Sequence, residues 1–442
     1  MKNVLICGYD FPPIGGPASL RLTSYVSRMP SLGWTPHVVT VREDQGIIPR
    51  RDPELAARLP AECRIYRTDL VEPHTNPLYR LLTGSSSKQT DLIEPDAAVA
   101  ESEPPDPPGL GAALKDAVEA MVLPDRVAGW IPFAVRECLN VIRDQPIDAI
   151  LTTAPPVSTH LVGLILRLQT GLPWIAEFRD PWTQYAFARR RFTPFDRIEK
   201  GMERQVLFRA SRIVCTTDAM VRGFLSMYPD LDRSTFHVIP GFYEEERFAR
   251  VRPTPQDKFT LIFPGHLYED FAPHTLFEGL AMALSQRPGM RARTNCLFVG
   301  RQYDGLEALV ELWGLEDVVE RRGFRSNDEA LSLLLGSHVA FYRVTFPLVV
   351  AAKLFEYLRS GRHVLAVLEP DHPAVEIIRE TGAGTIIPPG RADLAAAALV
   401  RLYDLYSSPG GIPELDVDRP AVRRYESRVQ AARLTSLLDE LV

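Results

Sequence analysis

The amino-acid sequence predicts an α/β protein with two doubly wound, Rossmann-like domains. Three observations lead to this fold class. The chain has 442 residues, which exceeds what one hydrophobic core usually supports. Short apolar runs alternate with helical patterns, as expected for parallel sheets that are covered by helices on both faces. The alternation stops in a polar stretch after Gly241 and begins again at Phe259.

The first domain is expected to span residues 1–240. Its predicted elements are strand Val4–Cys7, helix Ala18–Leu32, strand His37–Val41, strand Ile147–Thr152, helix Ser158–Gln169, strand Pro173–Glu177 and strand Arg212–Thr216. Residues 83–111 interrupt this pattern, since they are rich in Ser, Pro, Asp and Glu and lack aromatic residues. That composition predicts a disordered insertion.

The second domain is expected to span residues 258–420, after a linker at residues 241–257. Its predicted elements are strand Phe259–Phe263, helix Ala272–Arg287, strand Asn295–Val299, helix Leu306–Leu315, helix Asn327–Leu335, strand Val339–Tyr342, helix Leu348–Arg359 and strand Val364–Leu368. A last helix, at residues 421–442, is expected to cross back to the first domain.

Composition restricts the function classes. The net charge is −6 and the sequence pI is about 5.9, so the chain lacks the basic field of most nucleic-acid-binding proteins, and we expect no nucleic-acid partner. Five scattered cysteines without a CxxC spacing argue against a disulfide framework or a zinc site. Neither a secretory segment nor a run of about 18 apolar residues is visible. We therefore expect a cytoplasmic protein, with the inner face of the cell membrane as an alternative location.

The loop after the first strand is the first candidate site. Gly15 and Gly16 precede the first helix, with a spacing that fits neither a GxGxxG fingerprint nor a P-loop. Adjacent glycines at this position let backbone N–H groups approach an anion or a sugar, and the helix N-terminus adds positive potential. A plain β–α turn that needs positive φ is the alternative interpretation.

Polar residues also follow later strands of the first domain. His160 lies on the first turn of a helix after a strand end, where an imidazole can exchange hydrogen bonds with a sugar or phosphate. A purely structural histidine is the alternative. Glu177, Arg179 and Asp180 gather after the next strand, either as a structural ion-pair cluster or as contacts to an acceptor.

A basic and aromatic stretch follows this cluster. Arg189, Arg190 and Arg191 lie beside Phe187 and Phe192. Such a stretch can rest on an anionic membrane surface, with each cation contributing on the order of 1 kcal/mol. A solvated loop is the alternative interpretation.

Lys353 and Glu356 form the most informative pair in the chain. They lie three residues apart on a predicted helix that ends at Gly361, so they share one helical face. A carboxylate can accept sugar hydroxyls, and an ammonium can neutralise phosphate charge. A solvated i,i+3 pair is the alternative.

Taken together, these segments resemble glycosyltransferase family 4, whose members are retaining GT-B enzymes that use nucleotide-sugar donors. GT-B proteins have two Rossmann-like domains that face each other across a cleft. The motifs that carry the resemblance are FPPIGGPASLR (Phe11–Arg21), LPDRVAGWIPFA (Leu123–Ala134), LTTAPPVSTHLVGL through WIAEFRDPWT (Leu151–Thr183), ASRIVCTTDAM (Ala210–Met220), HVIPGFYEEERF (His237–Phe248), FPGHLY (Phe263–Tyr268), LFVGR (Leu297–Arg301) and KLFEYLRSGRHVLA (Lys353–Ala366). They cover nearly the whole chain except residues 83–111.

The resemblance implies roles for the candidate residues. Glu356 would bind the donor ribose. Other donor contacts would come from Gly15, Gly16, Gly265, His266, Arg301 and Lys353. His160 would be the catalytic residue near the reacting sugar. The acceptor side would include Arg21, Glu177, Arg179 and Asp180.

The sequence departs from the family pattern in three respects. Pro240-Gly241 stands where the family has Asn-Gly at the hinge between the domains. Leu348 stands where the family often has a second glutamate, and His266 and Phe271 correspond roughly to its arginine and lysine. We therefore expect Lys353, with Arg301 or Arg343, to supply the charge that faces the phosphates. No Asp-x-Asp metal site is evident, so we expect no metal and no cofactor besides the nucleotide-sugar co-substrate.

The leading hypothesis is a retaining hexosyltransferase of polysaccharide biosynthesis. It would move a sugar from a nucleoside-diphosphate sugar to a glycan, a lipid-linked acceptor or a small molecule. Two alternatives remain. One is a catalytically degenerate relative that acts as a binding or assembly subunit, and the other is a nucleotide-sugar epimerase or hydrolase.

Overall fold

The computed structural model describes residues 1–45, 51–71, 123–184 and 193–442. The chain forms two compact units. Residues Met1–Pro240 and Arg428–Val442 make up the first unit, and residues Gly241–Ser427 make up the second. Each unit is an α/β structure with one parallel sheet, so the predicted fold class is confirmed. The predicted insertion at residues 83–111 lies outside the described residues.

The sheet of the first unit has the strand order β3-β2-β1-β4-β5-β6-β7. Its strands are β1 Lys2–Cys7, β2 Trp34–Val41, β3 Arg64–Thr68, β4 Ala149–Ala154, β5 Trp174–Phe178, β6 Arg212–Cys215 and β7 Phe236–Val238. The helices between them are α1 Pro17–Val26, α2 Pro53–Ala57, α3 Ile131–Asp144, α4 Ser158–Thr170, α5 Thr193–Arg209 and α6 Asp218–Met227.

The sheet of the second unit has the strand order β10-β9-β8-β11-β12-β13. Its strands are β8 Phe259–Pro264, β9 Thr294–Val299, β10 Val319–Arg322, β11 Val339–Arg343, β12 His363–Val367 and β13 Gly384–Ile387. Its helices are α7 Glu245–Arg250, α8 His274–Gln286, α9 Pro288–Arg291, α10 Leu306–Leu312, α11 Asn327–Gly336, α12 Lys353–Ser360, α13 Pro373–Thr381, α14 Ala392–Tyr406 and α15 Pro420–Arg423.

The central strands are apolar because helices cover both faces of each sheet. In β1, the residues from Val4 to Cys7 have no exposed surface, and the same is true of Leu261 and Ile262 in β8. Both sheets reverse their strand order beside the first strand of the unit, between β1 and β4 and between β8 and β11. Ligands of open parallel sheets bind at the carboxyl ends of the strands at such a switch point.

The last helix, α16 Ser427–Asp439, runs into the first unit. Asp439 accepts hydrogen bonds from Lys2 Nζ at 3.0 Å and from Trp34 Nε1 at 3.1 Å. Arg433 donates to the Val238 carbonyl at 2.7 Å. The last helix therefore contacts β1, β2 and β7 of the first unit.

Several boundaries differ from the sequence prediction. The predicted linker at residues 241–257 contains α7 and belongs to the second unit. The helix predicted from Leu348 begins at Lys353. Pro347 cannot donate a helical hydrogen bond, and the Ala351 N–H donates to the Tyr342 hydroxyl at 3.1 Å, so the helix starts only after these residues. Within the described residues, no helix is both long and apolar enough to cross a membrane.

Candidate functional site

The switch point of the second unit brings Lys353 to the carboxyl end of β8. Lys353 Nζ lies 3.8 Å from the centroid of the Phe263 ring, an arrangement that suits a cation–π contact. Gly265 follows this strand with φ of 110°, and a Cβ atom at Gly265 would lie 3.3 Å from Lys353 Nζ. A cation therefore lies directly beside a backbone turn that has no side chain, an arrangement that suits the binding of an anion.

The loop after β9 packs closely against this turn. Gly300 has φ of 119°, and a Cβ atom there would lie 2.7 Å from the Gly265 carbonyl oxygen, so only glycine fits. The Gly265 N–H donates to the Val299 carbonyl at 2.8 Å, and the Leu267 N–H donates to the Arg301 carbonyl at 2.9 Å. The Arg301 side chain is exposed beside this pair of loops. The backbone of the site is therefore held by hydrogen bonds between two neighbouring loops.

Glu356 lies on the first turn of α12 and forms an ion pair that the sequence did not predict. Its Oε1 accepts a hydrogen bond from Arg247 Nη1 at 2.5 Å, and the Glu356 side chain is 29% exposed. Arg247 comes from α7, inside the predicted linker, and its side chain is 11% exposed. In the sequence, Arg247 follows three glutamates, and no spacing rule connects it with a residue 109 positions later.

The residues expected near the family's phosphate-binding cations have different positions. Phe271 is buried and packs edge-on against Phe346, with ring centroids 5.0 Å apart. It belongs to the core and offers no polar group to a ligand. His266 is half-buried, and its ring stacks near that of Tyr268 at a centroid distance of 6.2 Å. Leu348 is half-buried, and its apolar side chain offers no hydrogen-bonding group to a sugar.

Arg343 and His372 lie at the carboxyl ends of β11 and β12. Arg343 Nη1 donates to the Val367 carbonyl at 3.2 Å, and burial lowers the pKa of this guanidinium. His372 Nε2 lies 3.0 Å from the Phe346 carbonyl, and Nδ1 accepts from the Ala374 N–H at the start of α13. Burial lowers the pKa of His372 to about 4, so this imidazole is neutral at pH 7.

The predicted glycine loop of the first unit leads into α1. Gly16 is exposed, has φ of 111° and directly precedes the helix, whereas Gly15 is buried. The Gly16 carbonyl accepts the Leu20 N–H at 2.9 Å, as the first bond of the helix. The positive φ suits the β–α turn interpretation, and donor binding by Gly15 and Gly16 stays a prediction.

Arg21 and Glu177 meet at the carboxyl end of β5. Arg21 Nε donates to Glu177 Oε1 at 3.0 Å, and the two other guanidinium nitrogens donate to the carbonyls of Ile239 and Pro240. Thr153 donates to Glu177 Oε2 at 2.7 Å. Burial alone would raise the pKa of Glu177, but the Arg21 charge and these hydrogen bonds hold it below its usual value.

Arg179 and Asp180 continue this cluster. Arg179 donates to Thr153 Oγ1 at 2.9 Å and lies 3.9 Å from an Asp10 carboxylate oxygen. Burial lowers the pKa of Arg179, while the Asp10 and Glu177 carboxylates oppose that shift. Of the two interpretations for this cluster, the geometry of Arg21 and Glu177 favours the structural ion pair, because their polar atoms face each other inside the protein.

His160 is completely buried in the first unit. Its Nδ1 lies 2.8 Å from Thr152 Oγ1, which also accepts from Trp174 Nε1 at 2.9 Å. Its ring packs on Phe178 with centroids 4.3 Å apart, and Nε2 has no hydrogen-bond partner among the described residues. Burial, together with the Arg179 charge, lowers the pKa of His160 to about 3. The catalytic role stays a prediction, and this geometry favours the alternative of a structural, neutral histidine.

Asp125 is a further polar residue that the sequence reasoning missed. Its carboxylate accepts from the backbone N–H of Ser158 at 2.8 Å and from the Ser158 hydroxyl at 2.6 Å, at the start of α4. This carboxylate therefore caps the helix that carries His160. The Asp-Arg pair at residues 125–126 carries no motif that would have indicated this role.

One predicted contact has no structural description. The predicted membrane contact, residues 189–191, lies outside the described residues. Among the residues that are described, no three His, Cys, Asp or Glu side chains gather in a way that could hold a metal ion.

Comparison with known proteins gives a family match and a fold match. Residues 16–241, more than half of the chain, match the model of the family described as "Glycosyl transferase 4-like domain". Among curated proteins, no sequence matches this chain.

Three solved structures illustrate the fold match. A glycosyltransferase from Rickettsia africae has 14% sequence identity and a TM-score of 0.63, over 100% of this chain and 98% of that chain. Sucrose-phosphate synthase from Thermosynechococcus elongatus has 15% identity and a TM-score of 0.63, over 100% and 99%. HepE of Anabaena, solved with UDP, has 14% identity and a TM-score of 0.64, over the full length of both chains. The architecture is therefore that of the GT-B fold.

Proposed function

Because this chain belongs to the glycosyl transferase 4-like family, we propose that it is a retaining, metal-independent hexosyltransferase that uses a nucleoside-diphosphate sugar. The observation that carries the proposal is the position of Lys353 beside Gly265, with Glu356 one helical turn further along α12. HepE, which shares the fold, has been solved with UDP and with UDP-glucose. A uridine nucleotide is therefore the first donor to test.

The diphosphate is assigned to the turn at Gly265. Lys353 Nζ supplies one positive charge there, and the absence of a Cβ lets phosphate oxygens approach the backbone. The exposed Arg301 and the Arg343 guanidinium are the further cations at the carboxyl ends of neighbouring strands. His266 directly follows Gly265 in the sequence, and we assign its side chain a hydrogen bond to the same phosphates.

The ribose is assigned to Glu356. Three residues along an α-helix correspond to a rise of about 4.5 Å, so Lys353 and Glu356 can contact neighbouring parts of one nucleotide. A carboxylate accepts hydrogen bonds only, which matches the two donor hydroxyls of a ribose. The exposed part of the Glu356 side chain is available for this contact.

The chemistry follows from where charge develops. When the bond between the sugar and the β-phosphate breaks, negative charge grows on that phosphate, and Lys353 would stabilise it. We propose that a phosphate oxygen of the donor takes the acceptor proton on the same face of the sugar. This route retains the anomeric configuration and requires no buried general base, which agrees with the burial of His160. A glycan, a lipid-linked saccharide or a small molecule would be the acceptor, within polysaccharide biosynthesis, in the cytoplasm or at the inner membrane face.

A second candidate is a binding or assembly subunit without transferase activity. The burial of Phe271 in the core and the apolar side chain of Leu348 favour it, since both stand where the family pattern has polar ligand contacts. The amount of glycan that the host produces with a Glu356 variant discriminates between the transferase and the binding subunit. A Glu356→Ala variant that supports normal production while it still assembles with its partner would support the binding subunit.

The direct test is a thermal-shift screen of the purified protein with UDP, GDP, ADP and their hexose conjugates. A ligand at about 100 times its dissociation constant should stabilise the folded state by about 2.7 kcal/mol. The ligand that stabilises the protein is then incubated with it, with and without saccharide acceptors, and the products are identified by mass spectrometry and NMR. Acceptor-dependent transfer with retained configuration is expected. If none of these nucleotides shifts the melting temperature, the proposed function is wrong, and an acceptor-independent product would indicate a hydrolase or epimerase.

A further inference from the structure

We propose that Arg247 is a positioning residue that orients the Glu356 carboxylate for the ribose hydroxyls of the nucleotide. This inference rests on the proposed function and adds to it a residue from outside the helix that carries Glu356. Arg247 lies on α7, in a segment whose polar composition predicted only a linker.

The guanidinium of Arg247 uses each of its nitrogens for a different acceptor. Nη1 donates to Glu356 Oε1 at 2.5 Å, Nη2 donates to the Asn327 carbonyl at 2.7 Å, and Nε donates to Asp328 Oδ1 at 3.3 Å. Two of these acceptors belong to the first turn of α11, and the third belongs to α12. Because a guanidinium is planar and rigid, three acceptors fix its orientation.

The fixed guanidinium in turn fixes one oxygen of Glu356. Oε1 is occupied by Arg247, whereas Oε2 has no hydrogen-bond partner within the described part of the chain. A glutamate side chain that is held at one oxygen loses less rotamer freedom when its other oxygen accepts a ligand hydroxyl. Arg247 is therefore expected to increase the affinity for the ribose and to leave the phosphate contacts unchanged.

A purely structural role for Arg247 would have a different signature. It would link α7 to α11 and affect folding stability, with no preference for any part of the ligand. Arg250 provides the matched control because it lies on the same helix and donates to the other oxygen of Asp328 at 2.9 Å. Its side chain is 52% exposed, and its bond to Asp328 does not involve Glu356.

The experiment compares two ligands by titration calorimetry. Whichever of UDP, GDP and ADP binds the wild-type protein is titrated beside its 2′,3′-dideoxy analogue, into the wild type and the variants R247Q, R247K, E356Q, R250Q and R247Q/E356Q. We expect R247Q to weaken binding of the ribonucleotide about tenfold, as for the loss of about one charge-assisted hydrogen bond. Binding of the dideoxy analogue should stay within about twofold of the wild type in every variant.

The double variant and the control show whether Arg247 affects ribonucleotide binding through Glu356. R247Q/E356Q should bind the ribonucleotide no more weakly than E356Q alone, since Arg247 acts through Glu356. R250Q should bind both ligands like the wild type. If R247Q does not fold, R247K is used for the same test. Lysine keeps the positive charge but can reach fewer of the three acceptors. We therefore expect R247K to weaken binding of the ribonucleotide only.

The outcomes separate this inference from the proposed function. If the wild type binds none of the three nucleotides, the proposed function fails, and the inference fails with it. If the wild type binds one of them and E356Q loses the preference for ribose while R247Q and R247K keep it, only the inference is overturned. Equal weakening of the ribonucleotide and the dideoxy analogue in R247Q would also overturn it, since that result indicates a general structural role.

Discussion

Arg21 and Glu177 form a buried ion pair in the first unit, with 3.0 Å between Arg21 Nε and Glu177 Oε1. The Arg21 side chain is 9% exposed and that of Glu177 is 1% exposed. Tyr25 donates to the same Glu177 oxygen at 3.1 Å, and Thr153 donates to the other at 2.7 Å. The pair joins α1 to β5, so each partner depends on the other for its place in the core.

Removal of the Glu177 charge should destabilise the first unit strongly. The variant Glu177→Gln leaves the Arg21 guanidinium buried without its counter-charge, which typically costs about 3–5 kcal/mol. Urea unfolding followed by tryptophan fluorescence measures this, because Trp34, Trp130, Trp174 and Trp182 all lie in the first unit.

The matched control for this variant is Lys200→Ala. Lys200 pairs with Asp196 at 2.8 Å on the surface of α5, and both side chains are more than 40% exposed. An exposed pair of this kind contributes less than about 1 kcal/mol. Similar losses in both variants would contradict the importance assigned to the buried pair.

His160 should make the first unit sensitive to mild acid. Its pKa is about 3 in the folded protein because of burial and of the Arg179 charge, and about 6.5 in an unfolded chain. Between these values the unfolded state binds the extra proton, so stability falls as the pH drops below about 6.5. From pH 7 to pH 5, His160 alone should reduce the free energy of unfolding by about 2 kcal/mol.

The variant His160→Asn tests this pH dependence. Its free energy of unfolding should change by about 2 kcal/mol less than that of the wild type between pH 7 and pH 5. The measurement is urea unfolding at both pH values, followed by tryptophan fluorescence. Parallel pH profiles of the two proteins would show that His160 is not held neutral by its surroundings.

Loss of the Lys353 charge should weaken binding of the diphosphate specifically. Lys353→Met removes the ammonium beside Gly265, and we expect a tenfold or greater loss of affinity for UDP, since a hydrogen bond to a charged group contributes about 1.5–3 kcal/mol. Binding of uridine, which has no phosphate, should change little. Titration calorimetry with both ligands measures the difference.

Lys258 is the natural control for this variant. It belongs to the same unit but directly precedes β8, whereas Gly265 directly follows it, so the two residues lie at opposite ends of this strand. Lys258→Met should bind UDP like the wild type. An equal loss in both lysine variants would indicate a general charge effect and would remove the special role of Lys353.

A side chain at Gly265 should block the same site. In Gly265→Ala, the new Cβ would lie 3.3 Å from Lys353 Nζ, and φ of 110° is unfavourable for alanine. We expect a loss of UDP affinity of about tenfold or more, with a destabilisation of roughly 1–3 kcal/mol. Gly314→Ala separates the two effects, because Gly314 also has positive φ but has no atom within 4 Å of its Cβ position. Nucleotide affinity that decreases as much in Gly314→Ala would argue against a direct effect at Gly265.

The alternation of apolar runs and helical patterns predicted most of the fold correctly. Strand β8 was predicted as Phe259–Phe263 and spans Phe259–Pro264, since a continuous apolar run indicates a strand that is buried on both faces. Helix boundaries were predicted less well. The start of α12 depends on the bond from Ala351 N–H to the Tyr342 hydroxyl, which local propensity cannot indicate.

The sequence by itself predicted the fold class and placed Lys353 and Glu356 on one helix, because both inferences depend on short-range spacing along the chain. It could name Arg21, Glu177 and Glu356 as candidates, but their partners depend on which strand ends and helices lie side by side. Arg21 and Glu177 are 156 residues apart, and Arg247 and Glu356 are 109 residues apart. Only the tertiary structure decided that the Glu177 charge is paired inside the core, whereas the Glu356 side chain, although it is also paired, remains 29% exposed. The physical reason is that burial and ion pairing are set by strand order and helix packing, which bring together residues that no local pattern connects.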